Sequence, residues 1–257
     1  MDQTSAKGAK AAAVESAKVI NIQQLKTVCS SCSLRELCLP MGLAQDEIEQ
    51  LDHLVYTRKK VKRGDSLYRA DDEFGSLHAV RTGFFKSSVM LQDGRDQVTG
   101  FHMTGEVMGL DGIGTDRHTV NTIALEDSEV CVIPYSRLEE LSQRVRSLQS
   151  QFHKMMSREI VRDQGVIMLL GTMKAEERVA AFLLNLSQRF SARGYSPSEF
   201  RLRMTREEIG SYLGLKLETV SRIFSRFQEE GLISVQQKQI RIDNHEGLKQ
   251  IVGRDCS

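Results

Sequence analysis

Three thiols fall within the ten-residue run CSSCSLRELC, at Cys29, Cys32 and Cys38. Closely spaced cysteines bind metal, exchange disulfides or staple a secreted domain, and the compartment and the remaining ligands decide between these. A four-ligand metal site needs one more donor. Of the two other cysteines, Cys131 lies in an expected strand and is the candidate, whereas Cys256 is the second-last residue and reads as an incidental tail thiol. Four thiolates suit zinc as well as a 4Fe-4S cluster, because soft sulfur donors do not separate the two. A dithiol switch also stays open. The spacing matches neither the ferredoxin cysteine run nor the paired CxxC knuckles of zinc ribbons.

A second group with readable chemistry is Glu218, Ser221 and Arg222 in the run ETVSRIF. Spaced i, i+3, i+4, they share one face of a helix. Arg222 can fork onto guanine O6 and N7, Glu218 can accept from cytosine N4, and Ser221 can serve several base edges. The plain alternative is a solvated face with a Glu–Arg pair. From 172 to 257 there are fourteen Lys and Arg against eleven Asp and Glu. Arg201, Arg203, Arg206, Lys216, Arg222 and Arg226 concentrate near the group, as phosphate contacts would require.

These residues need elements to hold them. The chain has 257 residues, 40% apolar and 27% charged, with a net charge of +1. That is enough apolar material for a real core, and so small a net charge makes any nucleic-acid case a local one. The apolar runs, Val166 to Leu170 among them, are too short to span a bilayer. Residues 1–20 lack the apolar stretch of a secretory signal and read as a mobile leader. The expected setting is therefore cytoplasmic and reducing.

Residues 43–52 form a short amphipathic helix. From about 55 to 134, turn signals recur every ten or so residues (KRGD, RTG, QDGR, TG), as in a compact antiparallel roll. Its last strand is Glu129–Ile133, carrying Cys131 and closed by Pro134. Near Ser147 a long helix begins, and a further helix covers 173–190. Thr205 with Glu208 makes a capping box, Gly214 breaks that short helix, and a second helix turns Val220, Ile223, Phe224 and Phe227 inward. A hairpin over 235–242 completes a winged helix-turn-helix. The fold class is α+β: a leader (1–20), a unit of cysteine segment plus roll (21–146), a long helix (147–171) and a winged helix-turn-helix DNA-binding domain (172–257).

Along the long helix, His153, Met156, Ile160, Asp163, Ile167 and Leu170 alternate spacings of three and four, a heptad seam for a partner helix. An amphipathic helix packed on its own domain gives the same short pattern. In a dimer, Asp163 would meet its own copy. Unit charges about 4 Å apart repel by roughly 4 kcal/mol at an effective dielectric near 20. Met156, Ile160 and Ile167 would pull the helices together while Asp163 pushes them apart.

The order of cysteine trio, roll, long helix and winged helix resembles the CRP–FNR superfamily. The C-x2-C-x5-C run with a lone cysteine at the end of the roll resembles its FNR/ANR subfamily. So do FHMTGEVMGLDGIG, KAEERVAAFLLNLSQRF, FRLRMTREEIGSYLGL and ETVSRIF. The resemblance implies a cyclic-nucleotide-binding-like roll and one oxygen-labile 4Fe-4S cluster per subunit on Cys29, Cys32, Cys38 and Cys131. It implies homodimers on TTGAT-type palindromes in double-stranded DNA, regulation through RNA polymerase, and a part for Ile160 and Asp163 in oxygen-sensitive dimerisation. It also matches the exposed turn Gln92, Asp93, Gly94, Arg95 to an activating loop, although a plain hairpin accounts equally well for the Asp-Gly.

The competing reading is a nucleotide-gated regulator with a structural zinc. Gly105-Glu106 survives from the phosphate cassette of that branch, but only Arg117-His118-Thr119 echoes its Arg-Ser/Thr-Ala. Without a fixed arginine and backbone donors together, cyclic nucleotide is not an expected ligand. An iron–sulfur enzyme or electron carrier finds little support, since no acid/base pair or phosphate loop accompanies the thiols.

Overall fold

The computed structural model describes residues 29–54 and 57–253; the leader and Cys256 lie outside them. The cysteine segment folds as consecutive tight turns, with Cys32 donating its N–H to the Cys29 carbonyl at 3.1 Å and Cys38 to Leu34 at 3.1 Å. Helix α1 (Gln45–Asp52) buries Ile48 and Leu51. Its last residue, Asp52, accepts the N–H groups of Cys29 and Ser30, so the segment starts on the end of α1.

The roll is two four-stranded antiparallel sheets. One has the order β1 (Thr57–Val61), β8 (Ser128–Pro134), β3 (Ser76–Thr82), β6 (Val107–Met108). The other has β2 (Ser66–Tyr68), β7 (Asn121–Ala124), β4 (Phe84–Met90), β5 (Asp96–Met103). Cys131 is thus central in its sheet, paired with Arg58 of β1 and Ala79 of β3.

Helix α2 (Tyr135–Arg144) stops at Val145, whose backbone is extended. The long helix α3 (Arg146–Thr172) starts one residue before the expected Ser147. Helix α4 (Ala175–Ser191) then opens the C-terminal domain. Helix α5 (Arg206–Leu213) starts on the Thr205–Glu208 capping box and ends on Gly214 at φ 64°, a left-handed position that suits glycine. Helix α6 (Leu217–Glu229) buries Val220, Ile223, Phe224 and Phe227, as its periodicity predicts.

The wing is larger than the expected hairpin. Strands β10 (Ile233–Gln236) and β11 (Gln239–Ile242) are joined by β9 (Glu199–Arg201), and α7 (His245–Gly253) packs on α4. Three residues with only Phe200 buried leave too little alternation to announce a strand.

The two halves share one core. Phe84, Val98, Phe101 and Met103 of the roll pack with Phe182, Leu186, Ile209 and Phe224 of the C-terminal domain. The expected boundary at 172 is therefore a boundary between elements and not between separate cores. No helix among the described residues is long and apolar enough to cross a membrane.

Candidate metal centre and nucleic-acid interface

Cys29, Cys32, Cys38 and Cys131 line one apolar cavity with Leu39, Leu51 and Ile133. All four are unbridged thiols. No group of three or more His, Cys, Asp or Glu among the described residues already stands as a metal-binding set, so the fold gathers the four thiols without converging them. Burial pushes the Cys29 thiol up, with the neighbouring thiols and Asp52 adding to it. Burial likewise pushes Cys38 up to about 12 and raises Cys131.

A redox-switch cysteine needs a stabilised thiolate, and these three are shifted the opposite way. Buried thiols that ionise poorly alone fit a site where bound cations offset the charge and protons leave on binding. The donor set therefore fits a soft-metal centre, either zinc or iron–sulfur, held by Cys29, Cys32, Cys38 and Cys131.

The same residues belong to a larger core. Cys29, Cys38 and Cys131 pack with Leu39, Val107 and Leu138, and with Leu148, Phe152 and Met156 of α3. The core behind the cavity is thus continuous with the first half of α3. Further along α3, Ile160 is 57% exposed and Ile167 70%, and Asp163 lies exposed between them. Of the expected seam residues, Met156 and Leu170 depart from the pattern: both are half-buried within their own subunit, Met156 because it packs in the core that holds Phe152 and Leu138.

In the C-terminal domain, Glu218, Ser221 and Arg222 are all exposed on α6. The Glu218–Arg222 pair that would make them an ordinary solvated face does not form among the described residues. The ion pairs of this helix instead run from Arg226 to Glu230 at 2.7 Å and to Glu176. Two of the six expected phosphate contacts are therefore engaged inside the subunit, Arg226 and Arg203, the latter on Glu126 at 2.5 Å. Arg206 lies over the Phe224 ring, 3.5 Å from its centroid.

The turn Gln92, Asp93, Gly94, Arg95 is exposed. Leu91 donates to the Arg95 carbonyl at 2.8 Å, and Arg95 Nε donates to Asp93 at 2.8 Å, which holds the Asp93 carboxyl below its ordinary range. A self-contained hairpin accounts for its local geometry. Met90, 62% exposed, stands beside it.

Two arginine clamps escaped sequence reasoning. Arg178 of α4 donates to the carbonyls of Leu170 at 2.7 Å, Met173 at 2.9 Å and Leu213 at 3.1 Å. It joins the ends of α3 and α5. Glu106, read above as a cassette remnant, accepts from Arg189 and Arg193 of the C-terminal domain at 2.7 and 2.6 Å. The i, i+4 spacing of those two arginines was the available signal, but nothing local names a partner so far away.

Comparisons with known proteins agree with this architecture. Residues 177–251 match the family model of a Crp-like helix-turn-helix domain, and residues 58–145 that of a cyclic nucleotide-binding domain. The transcriptional regulatory protein btr of Bordetella pertussis is 50% identical over 227 residues, covering 88% of this chain and 94% of that protein. The fumarate and nitrate reduction regulatory protein of Escherichia coli is 46% identical over 225 residues, covering 88% and 90%. The solved structure of FixK2 from Bradyrhizobium japonicum superposes with a TM-score of 0.71 at 31% identity, covering 76% of this chain and 96% of that one. These relatives are regulators of transcription and not enzymes. With half of the aligned residues identical along nearly the full length of such a regulator, the chain belongs to the CRP/FNR superfamily of transcription regulators and is of the FNR type.

Proposed function

We propose that this protein is an oxygen-responsive transcription regulator of the cytoplasm, whose four cysteines hold one 4Fe-4S cluster per subunit. In this reading it binds TTGAT-type palindromes as a homodimer when oxygen is absent, and acts there with RNA polymerase. The single observation that carries the reading is the continuity between the cysteine cavity and the seam helix. Cys29, Cys38 and Cys131 share a core with Leu148, Phe152 and Met156.

The cluster, when bound, supplies an oxygen-labile metal–sulfur centre. Everything else falls to the chain. Leu39 shares that core with Phe152 and so ties the segment to the first half of α3. The exposed Ile160 and Ile167 bury apolar area on a partner helix at about 25 cal/mol per Å². Asp163 opposes them by carboxylate repulsion across the seam. Pairing of the long helices sets two copies of α6 about one DNA turn apart, with Glu218, Ser221 and Arg222 toward base edges.

The nucleotide-gated alternative is less well supported. The Glu106 carboxylate that a bound nucleotide would need is taken by arginines, and Arg117 is turned onto the Asp71 carbonyl.

Anaerobic purification with an absorbance spectrum, iron and sulfide analysis, and sizing before and after air exposure tests the reading. The expected result is a coloured dimer with one cluster per subunit that bleaches and dissociates in air. A colourless dimer holding one zinc would overturn it.

A further inference from the structure

The turn at Gly105–Glu106 collects contacts from each part of the molecule that the proposed function uses. From the cysteine segment comes Leu37. A β-carbon built on Gly105 would stand 2.9 Å from the Leu37 Cβ, and this glycine sits at φ +88°. Any side chain there would have to displace the segment as well as strain the backbone. From the Cys131 side comes β3. Gly105 donates its N–H to the Val80 carbonyl, and Val80 donates to the Glu106 carbonyl, both at 2.8 Å. Val80 follows Ala79, the ladder partner of Cys131.

On its far side the Glu106 carboxylate meets three guanidinium groups. Arg189 approaches at 2.7 Å, Arg193 at 2.6 Å, and Arg162 of the seam helix at 3.9 Å. Arg162 lies directly before Asp163 and is also paired with Glu159. Arg193 donates to the Thr104 carbonyl at 2.5 Å and Arg189 to Phe101 at 2.7 Å, so the C-terminal end of α4 grips the turn by backbone as well as by charge.

We propose that Glu106 is a positioning residue, through which the placement of the cysteine segment is transmitted to the seam helix and to the DNA-binding domain. This rests on the segment being the sensing element, as proposed above. Forked guanidinium–carboxylate bonds are directional, and a buried carboxylate separated from its cations is left uncompensated. The turn therefore cannot shift under Leu37 without drawing Arg189 and Arg193 along, and it changes the field on Arg162 of α3, which faces the same carboxylate by charge alone at 3.9 Å. Burial opposes ionisation of Glu106, yet Arg189 and Arg193 hold its carboxyl below the ordinary range, so the charge that does the gripping is present at neutral pH. A plain interdomain ion pair would stabilise the chain without carrying information from the segment.

The two possibilities separate in a double-substitution cycle read by amide hydrogen exchange on the full-length, metal-free chain. Leu37→Gly removes the side chain whose Cβ stands over Gly105. It should speed exchange in the last turn of α4 by about tenfold, an opening made roughly 1.4 kcal/mol easier. In a Glu106→Gln background the same change should alter that exchange less than about twofold, because the connection is already cut. Glu106→Asp, which keeps the charge on a shorter stem, should restore part of the response.

Effects of Leu37→Gly that are the same in both backgrounds would overturn the proposal. If Glu106→Gln does not fold, the double change Arg189→Gln with Arg193→Gln, which removes both hydrogen-bonded cations from Glu106, takes its place in the cycle, with the same two outcomes. A parallel anaerobic preparation keeps the two readings apart. Wild-type protein without a cluster would overturn the proposed function and leave the exchange result standing. Cluster-loaded protein with independent exchange effects would overturn only the relay.

Discussion

Arg178 donates an N–H to the Leu213 carbonyl at 3.1 Å, which ties the start of α4 to the last turn of α5. The same guanidinium bonds Leu170 near the end of α3, so α3 and the helix-turn-helix are held by one side chain. Replacing Arg178 with Ala leaves carbonyls at two helix ends without their donor, at a cost of about 2 kcal/mol. The expected outcome is a lower unfolding midpoint and DNA binding weakened on every sequence alike, with dimerisation intact, measured by calorimetry, fluorescence anisotropy and sizing.

Single substitutions Cys29→Ser, Cys32→Ser, Cys38→Ser and Cys131→Ser should each abolish iron incorporation, because a hard hydroxyl replaces a soft thiolate donor. Cys256→Ser should leave it unchanged. Iron and sulfide analysis of anaerobically prepared protein reads both outcomes.

Asp163→Ala removes the opposing carboxylates between the exposed Ile160 and Ile167. Relief of roughly 4 kcal/mol at an effective dielectric near 20 is comparable to the whole margin of a weak dimer. The variant should therefore sediment as a dimer in air. A monomer under aerobic conditions would remove the repulsion account.

Arg222 and Lys216 should behave differently on DNA. Arg222→Ala should cost about 1–3 kcal/mol and relax discrimination at one base pair, whereas Lys216→Ala should weaken all sequences and lower the salt slope by about one. Titrations on matched and single-mismatch duplexes at several salt concentrations distinguish the two.

Two buried histidines give the roll an acid limit. Burial pushes His102 down to about 3 and His78 down to about 4, the latter assisted by the Lys59 and His118 charges. Unfolded histidine takes a proton near 6.5, so below that pH the unfolded chain binds more protons than the folded one. Their stabilisation is complete above about pH 6.5 and declines as pH falls toward 4. Denaturation midpoints of the metal-free chain should drop between pH 7.5 and 5.0, and His102→Gln should flatten that drop. Parallel profiles for the two proteins would count against it.

What the sequence determined alone is whatever short-range chemistry encodes. The Thr205–Glu208 capping box, the left-handed stop at Gly214 and the apolar row of α6 each depend on neighbours within a turn or two. The C-x2-C-x5-C run likewise set three thiols within ten residues, and the α3 period set an alternating row along one long helix. Tertiary structure decided what that chemistry meets. It brought Cys131 to the other three thiols by centring β8 in a sheet, and it turned Met156 into its own core while leaving Ile160 and Ile167 bare. It also engaged Arg203 and Arg226 in ion pairs and gave Glu106 to arginines of another domain. Those outcomes rest on contacts between residues distant in the chain. Burial and charge pairing act through space, and no local pattern specifies which surfaces will meet.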